Sequence, residues 1–448
     1  MKTIKHTIIL LLLFTIKTNA QCWQSISPNS NRGYGVKADG SLYYWGYGTA
    51  SSPTIIGTDS DWIEVYGGGY YFCLAKKING TLWGWGSNTA GELGIGTTVS
   101  ATIPTQVGSD TDWLYASAAN GHTVALKTDH TLWIWGANNY GQLGDGSGIL
   151  SKSNPEQLFS VIPWQEISAG AYQTLAIKSD GTLWAWGRNN YGQLGDGTLI
   201  NKSVPTQIGT DTDWRSTSTS DSNSLALKND GTMWAWGYNN AGQNGNGTHS
   251  FTNVTTPSQV GSDTDWQTIV SGYQSSFGLK LNGALYFFGL DVDGQVGDGS
   301  CTATNFDVPT QVGTDNNWSD IHLGVQTVFA QKNNGDLYSW GYNVWGQLGI
   351  GNIVDQCSPV LMSSCNLASE GFAYNALKIY PNPTTTILNI SNNKLPIDKI
   401  IITDMLGKKI LEQNGKTSQL DVQELQQGMY ILRVFSDGGV VDYKFVKE

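Results

Sequence analysis

The sequence has little of what most enzymes depend on. Charged residues make up only 14% of the 448 residues, and the five histidines show no spacing typical of metal ligands. It contains no P-loop, no dinucleotide-binding glycine motif and no G-x-S-x-G nucleophile motif. We therefore expect no cofactor and no catalytic residues, although scattered Asp and Ser leave open a hydrolase with a site built across repeats.

Positive charge is scarce in most of the chain. Residues 21–370 contain 13 lysines and arginines against 28 aspartates and glutamates, a net charge of −15, whereas residues 371–448 carry nine against eight. An acidic body repels the phosphate backbone. We therefore expect no nucleic-acid partner.

Long apolar runs are missing except near the N-terminus. Lys2 and Lys5 precede a short apolar stretch at residues 8–16, and Thr18-Asn19-Ala20 is an acceptable cleavage site before Gln21. This stretch is too short to span a bilayer. Residues 1–20 are predicted to be a signal peptide. A lipoprotein anchor at Cys22 is the weaker interpretation, because Gln21 stands where lipoprotein signals carry Gly or Ala.

Tryptophan and glycine, in contrast, are abundant and recur at regular intervals. Seven WG or FG dipeptides follow one another at steps of 40 to 52 residues, ending at Gly46, Gly86, Gly136, Gly187, Gly237, Gly289 and Gly341. A fixed period of this size is typical of a repeat architecture. The chain therefore contains seven copies of one unit.

Each unit has the pattern of β-strands. In TLAIKSDGTLWAWG (174–187), apolar residues alternate on both sides of Asp180-Gly181, which is a strong hairpin signal. Unit 3 has His130 in place of this glycine, so His130 is expected at a positive φ if the turn is kept. Four strands in each of seven units predict an all-β protein with a seven-bladed β-propeller over residues 21–366.

The motifs LWAWGRNNYGQLGDGT (183–198) and ISAGAYQTLAIKSDG (167–181) resemble the RCC1 (regulator of chromosome condensation) repeat family. Weaker copies occur in all seven units, over roughly residues 22–365. The resemblance implies a seven-bladed propeller but no single function, because function lies in sites carried by a fold.

The character of the sequence changes after the repeats. Residues 367–376 are predicted to be a linker, and 377–448 alternate strands and turns in the manner of a small β-sandwich. The latter closely resemble the C-terminal sorting domain of the type IX secretion system. The residues that carry this resemblance are Tyr380, Pro381, Asn382, Pro383, Gly407, Lys408, Gly428 and Tyr430. It implies engagement with that secretion machinery and export through the periplasm to the medium or the outer cell surface.

The aromatic residues suggest a binding surface. Of the 18 tryptophans, 17 fall at repeating strand positions, and only Trp345 does not. Trp345, Tyr140 and Tyr191 occupy matching places in the loops between WG and the following Pro. These loops have 17 to 19 residues in units 2–7 but only six in unit 1. Exposed aromatic residues in loops are plausible anchors for a ligand; packing of Trp345 on a neighbouring blade is the alternative.

The five cysteines predict two disulfides in an exported protein. Cys301 and Cys357 lie in matching loops of units 6 and 7, and Cys22 and Cys365 flank the repeats, which a closed ring would bring together. Asp291, Asp293 and Asp298, in LDVDGQVGDGS, suggest a calcium loop, but glycine at position four and threonine at position twelve fit an EF-hand poorly. We interpret this segment as a turn, with Val296, like Leu143 and Leu194 in the matching loops, as the apolar anchor that holds the loop down.

These observations favour a monomeric, non-catalytic binding protein, secreted or displayed at the cell surface, that recognises a protein or a glycan. The alternative is a secreted hydrolase with its site in the central depression of the propeller. Carboxylates or histidines converging in one pocket would favour that alternative.

Overall fold

The computed structural model describes residues 22–69, 71–365, 377–380, 382–392, 397–404, 409–415, 419–436 and 439–447. They form two compact units, one ending at Cys365 and one made of C-terminal residues. The predicted signal peptide, residues 1–20, and the predicted linker, residues 367–376, lie outside the described residues. No described helix is long and apolar enough to cross a membrane.

The first unit consists of seven antiparallel four-stranded sheets, here called blades 1 to 7, each built from four consecutive strands. The strands are β1 Trp23–Pro28, β2 Arg32–Lys37, β3 Leu42–Gly46, β4 Thr54–Ile55, β5 Trp62–Gly68, β6 Phe72–Lys77, β7 Leu82–Gly86, β8 Ala101–Gln106, β9 Trp113–Ala118, β10 His122–Lys127, β11 Leu132–Ala137, β12 Ser151–Leu158, β13 Trp164–Ala169, β14 Gln173–Lys178, β15 Leu183–Gly187, β16 Lys202–Gln207, β17 Trp214–Thr219, β18 Asn223–Lys228, β19 Met233–Asn239, β20 Ser250–Gln259, β21 Trp266–Ser271, β22 Ser275–Lys280, β23 Leu285–Asp291, β24 Thr304–Gln311, β25 Trp318–Leu323, β26 Thr327–Lys332, β27 Leu337–Gly341 and β28 Gln356–Ser363. Strand β1 packs against β25, so the ring of blades is closed.

The predicted seven-bladed, all-β fold is confirmed. The second strand of a blade is almost wholly buried, as in β14, while the fourth strand, as in β16, is largely exposed at the outer edge. The predicted turn residue His130 has a φ of 64°, and it is the one non-glycine residue at a positive φ in the described part of the chain.

The long WG-to-Pro loops join neighbouring blades. A tryptophan of one blade donates a hydrogen bond from Nε1 to a carbonyl in the long loop of the preceding blade, at 2.7 to 2.9 Å. The pairs are Trp45 with Gln347, Trp135 with Glu92, Trp186 with Gln142, Trp236 with Gln193, and Trp340 with Gln295. The predicted loop anchors Leu143, Leu194 and Val296 are buried. Each of these loops therefore seals the contact between two blades.

The second unit contains β29 Leu377–Tyr380, β30 Ile387–Asn392, β31 Ile397–Asp404, β32 Lys409–Asn414, β33 Gln419–Asp421, β34 Gly428–Ser436 and β35 Gly439–Lys447. They form a three-stranded sheet, β29-β30-β33, and a four-stranded sheet, β32-β31-β34-β35. Leu388 and Ile390 of one sheet share a hydrophobic core with Ile400 and Leu432 of the other. Two sheets that enclose one core match the predicted small β-sandwich.

Candidate functional site

The alternating direction of the strands gives the propeller two different faces. In every blade, the turn between the first two strands and the WG-to-Pro loop lie on one face, here called the loop face. The Asp-Gly hairpins and the connections to the next blade lie on the opposite face, here called the hairpin face. The predicted anchors Tyr140, Tyr191 and Trp345 therefore lie on the loop face.

A central depression of about 440 Å³ opens on the loop face, where the turns between first and second strands of all seven blades meet. Small residues such as Gly67, Ala118 and Gly272 line much of its wall. The larger side chains include Tyr172, Arg188, Asp221 and Tyr273. The depression is of a size that suits a small ligand or a protruding side chain group of a partner.

Two of the predicted anchors meet at the edge of this depression. The guanidinium of Arg188 lies 5.6 Å from the ring centroid of Tyr140, 5.5 Å from that of Tyr172 and 5.2 Å from that of Tyr191. Tyr191 in turn packs against Tyr238, with centroids 4.8 Å apart. We call these five residues the tyrosine cluster. Blades 3, 4 and 5 all contribute to it.

The third predicted anchor belongs to a second group. The Trp345 side chain is 46% exposed, and its ring meets Tyr47 edge to face at a centroid distance of 4.9 Å. Tyr47 also lies 6.3 Å from the ring of Tyr71. We call these three residues the tryptophan cluster. It lies beside the short loop of blade 1, which leaves this sector of the loop face uncovered.

Sequence reasoning missed several members of both clusters. Tyr47, Arg188 and Tyr238 each follow the WG dipeptide directly, and Tyr71 and Tyr172 each precede a second strand. The signal was available, because these are matching positions of the repeat at which most units carry other residues. Their convergence on one face becomes visible only when the blades are placed in a ring.

The depression has little of the chemistry that acid–base catalysis requires. Its lining residues include one carboxylate, that of Asp221, and no histidine. Burial raises the pKa of Asp221, and the charge of Arg188 opposes this effect. A pair of converging carboxylates, which a glycoside hydrolase needs, is not found among the lining residues.

The suspected calcium loop is organised by hydrogen bonds within itself. Asp291 is buried and accepts a hydrogen bond from the Val296 amide at 3.4 Å, while Asp298 accepts one from the Ser300 amide at 2.8 Å. Asp293 is half-buried. Among the described residues, no group of three or more acidic, histidine or cysteine side chains is arranged to hold a metal ion.

Both predicted disulfides are formed. Cys22 is bonded to Cys365 with their Cα atoms 4.8 Å apart, and Cys301 is bonded to Cys357 with theirs 5.4 Å apart. The first joins the two ends of the ring, and the second fastens the blade 6 loop to blade 7. Cys73 is a free, buried thiol, and burial raises its pKa well above the ordinary value.

The motif residues of the C-terminal unit have structural contacts. Asn382 accepts a hydrogen bond from the Val446 amide at 2.9 Å, and a cis peptide bond joins it to Pro383. Tyr430 donates to the Gln426 carbonyl at 2.9 Å. Tyr380 is exposed, and Gly428 begins β34. Pro381, Gly407 and Lys408 lie outside the described residues.

Family models match most of the chain. The regulator of chromosome condensation (RCC1) repeat matches residues 79–126, 129–177, 180–227, 230–279 and 334–368, about half of the chain. The secretion system C-terminal sorting domain matches residues 378–448.

Individual relatives share parts of the sequence. The chain is 30% identical to the ultraviolet-B receptor UVR8 of Arabidopsis thaliana over 64% of this chain and 43% of the receptor. It is 27% identical to the ulvan lyase NLR42 of Nonlabens ulvanivorans over 42% of this chain and 35% of the lyase. The matches therefore span less than half of these relatives.

Solved structures show the same fold. Human WBSCR16 has a TM-score of 0.63 and 24% identity, with 70% of this chain and 85% of that chain covered. Yeast RCC1 (Prp20), solved bound to Kap60, has a TM-score of 0.64 and 18% identity, with 88% of this chain and 97% of the matched chain covered.

Proposed function

Since the chain belongs to the RCC1 repeat family and ends in a secretion system C-terminal sorting domain, we propose that it is a non-catalytic binding protein that acts outside the cell. It recognises a protein or a glycan through the loop face of its propeller. The sorting domain implies engagement with the type IX secretion machinery and a place in the medium or at the outer surface. We further propose that the protein passes through the periplasm and is a monomer.

The observation that carries this proposal is the exposure of aromatic side chains on the loop face. Tyr47, Tyr71 and Trp345 are 40%, 49% and 46% exposed, although each has a large apolar ring. The contacts between blades are made by other aromatic residues, buried tryptophans such as Trp186. Aromatic and arginine side chains grouped at a surface are the residues that most often supply the energy of an interface.

The composition of the site fits a protein or a glycan better than a nucleic acid. Arg188 is surrounded by tyrosines, and the propeller as a whole is strongly acidic. Aromatic rings can pack against apolar side chains of a protein or against the C–H faces of a sugar ring. The shared sequence with a relative named as an ulvan lyase gives the glycan arm of the proposal some support.

The experiment is a binding screen followed by substitution. The secreted protein would be titrated by calorimetry against a panel of neutral and acidic polysaccharides, and against proteins from the surfaces of neighbouring cells. For a ligand so found, we expect Trp345→Ala or Tyr191→Ala to weaken binding at least tenfold, because truncation of an anchor costs about 2 kcal/mol or more. Thermal unfolding should change little.

A matched control is Phe251→Ala. Phe251 is 84% exposed near the start of β20 and belongs to neither cluster. This variant should bind like the unaltered protein. If Trp345→Ala keeps its affinity and loses thermal stability, Trp345 packs between blades. If Tyr191→Ala also keeps its affinity, the loop face is not the binding surface.

A further inference from the structure

A lysine at the end of the second strand forms the same arrangement at five junctions between blades. Its ammonium lies over two aromatic rings and pairs with aspartates from the connection that precedes the blade. In each of these pairs the Nζ–Oδ2 distance is 2.6 or 2.7 Å. The lysines are Lys77, Lys127, Lys228, Lys280 and Lys332. At these five junctions the hairpin face therefore carries an aspartate–lysine pair.

The junction between blades 3 and 4 departs from this arrangement. Val161 and Pro163 stand three residues and one residue before Trp164. The connections at the five other junctions carry Asp at the first of these places, and at the second as well, except for Asn317 before Trp318. Within the described chain, no carboxylate lies within 4 Å of the Lys178 ammonium, although the ammonium remains over Trp184 at 3.7 Å.

Without these carboxylates, the pKa of Lys178 shifts in the opposite direction from the pKa of Lys228. Lys178 is 9% exposed. Burial lowers the pKa of Lys178 below its ordinary value, and the charge of the hairpin residue Asp180 opposes this effect without outweighing it. For Lys228, burial acts in the same direction, but the hydrogen bonds and charges of Asp211 and Asp213 outweigh it and raise the pKa. Lys178 is thus a mostly buried cation that feels the charge of Asp180 but has no carboxylate paired with its ammonium, a costly arrangement unless a partner supplies one.

The same connection exposes apolar side chains. Phe159 is 81% exposed, Val161 89% and Ile162 36%. His130, which replaces the usual hairpin glycine, contacts the residue that follows this connection, with Nδ1 3.2 Å from the Trp164 carbonyl oxygen. We call residues 159–163 together with Lys178 the 159–163 patch.

We propose that the 159–163 patch is a docking surface for a second protein, and that the partner presents a carboxylate next to apolar side chains. The partner's carboxylate takes the place of the missing aspartates at Lys178. Its apolar side chains cover Phe159 and Val161. Charge complementarity selects this junction, because at the five other junctions an incoming carboxylate would meet aspartates.

Lys37 also has no carboxylate partner within 4 Å among the described residues, but its surroundings differ. It lies at the closure of the ring, half-buried over Trp23 at 5.3 Å and Tyr43 at 4.7 Å, so water can solvate its charge. The Cys22–Cys365 disulfide, rather than an apolar connection, lies at this junction. Lys178 alone among these seven lysines combines a missing counter-charge with an exposed apolar connection.

The test is a selection of phage-displayed random peptides on the full-length protein. We expect enriched peptides to contain Asp or Glu flanked by apolar residues, and their Asn or Gln counterparts to bind at least tenfold more weakly. Val161→Asp provides the decisive variant. It restores an aspartate to Lys178 and should reduce peptide binding at least tenfold while preserving the fold, as judged by thermal unfolding.

Two further variants complete the design. Lys178→Met keeps a side chain of similar length over Trp184 but removes the charge. The enriched peptides should also fail to bind this variant. Val204→Asp adds the same negative charge at a 51% exposed site on the blade 4 edge, and it should bind them normally. Loop-face ligands should bind all three variants equally, so this test is independent of the proposed function.

Three results would overturn the proposal. The enriched peptides could lack carboxylates, or Val161→Asp could bind them as well as the unaltered protein does. Alternatively, sedimentation could show a dimer that Val161→Asp abolishes, in which case a second copy of this chain is the occupant.

Discussion

At the scale of single residues, one asparagine position organises the long loops. Its Oδ1 accepts a hydrogen bond from the amide five residues later at 2.9 to 3.0 Å, and its Nδ2 donates to loop carbonyls. The asparagines are Asn88, Asn138, Asn189, Asn239 and Asn343. Blade 6 has Asp291 instead, with a longer bond of 3.4 Å and no donor when ionised. Burial, with a contribution from Asp298, raises the pKa of Asp291 to about 6.

We predict that Asp291→Asn stabilises the protein at neutral pH by about 1 kcal/mol, the net value of a restored hydrogen bond. Because the folded-state pKa of Asp291 lies above its unfolded-state value near 4, the unaltered protein loses stability as pH rises from about 4 to about 6. The advantage of the variant should grow over that window and level off above it. Urea unfolding at pH 4 to 8 measures it.

The converse substitution provides the control. Asn343→Asp places a carboxylate at the matching position of blade 7 and should destabilise the protein with the same pH dependence. If the difference between Asp291→Asn and the unaltered protein is independent of pH, the Asp291 carboxyl does not titrate in this window.

At the scale of elements, the WG-to-Pro loop of blade 1 differs in length from those of the other six blades, and this difference affects the packing of blade 2. Blade 1 has six residues where the others have at least 17, so Trp85 of blade 2 has no preceding loop to cover it. The side chain of Tyr34 fills this space. Tyr34 is buried, and its ring centroid lies 5.9 Å from that of Trp85. Loss of the loop is therefore compensated in the core and exposes the tryptophan cluster on the surface.

This asymmetry gives a comparison between two tryptophans. We predict that Trp186→Phe lowers the free energy of unfolding by about 1 kcal/mol more than Trp85→Phe. Both substitutions shrink a core side chain, but only Trp186 loses an Nε1 hydrogen bond to a loop carbonyl, that of Gln142. Phe288, at the matching place in blade 6, shows that the smaller ring is tolerated. Equal losses would mean that the loop bond contributes nothing to stability.

The sequence predicts contacts within one repeat unit better than contacts between different blades. Asp-Gly turns, the WG strands and the loop anchors depend on neighbours within one unit, and these predictions are confirmed in the fold. The tyrosine cluster joins three blades: Arg188 lies over Tyr140 and Tyr172, and Tyr191 packs against Tyr238. Such contacts depend on the angle between blades, which no local pattern encodes. The spacing of Trp345 predicted an unusual residue, but not its partner Tyr47.

At the scale of the whole molecule, one closed ring carries two faces of different chemistry. The loop face carries a depression and two groups of aromatic side chains, and the hairpin face carries aspartate–lysine pairs at five junctions but not at Lys178 or Lys37. The Cys22–Cys365 bond joins the ends of a chain segment of more than 300 residues. Closing so long a loop favours the folded state by a few kcal/mol, because it restricts the unfolded chain. The disulfide therefore stabilises the closed ring.

The division into two units leads to a prediction about export. The propeller ends at Cys365 and has its own core and closing disulfide, while residues 378–448 match the sorting domain. A chain that ends after residue 366 should therefore fold, with an unchanged melting temperature for the propeller transition. In its own host it should accumulate in the periplasm rather than in the medium or at the surface.

Cell fractionation with an antibody against the propeller measures this outcome. The reciprocal control joins residues 367–448 to an unrelated periplasmic protein, which should then leave the cell. Both arms are needed, because a truncated chain could also be absent from the medium through degradation, and transfer of export to another protein excludes that explanation. If the truncated propeller reaches the medium in the same amount as the full chain, residues 367–448 are not the export signal, and their β-sandwich must serve the propeller in another way.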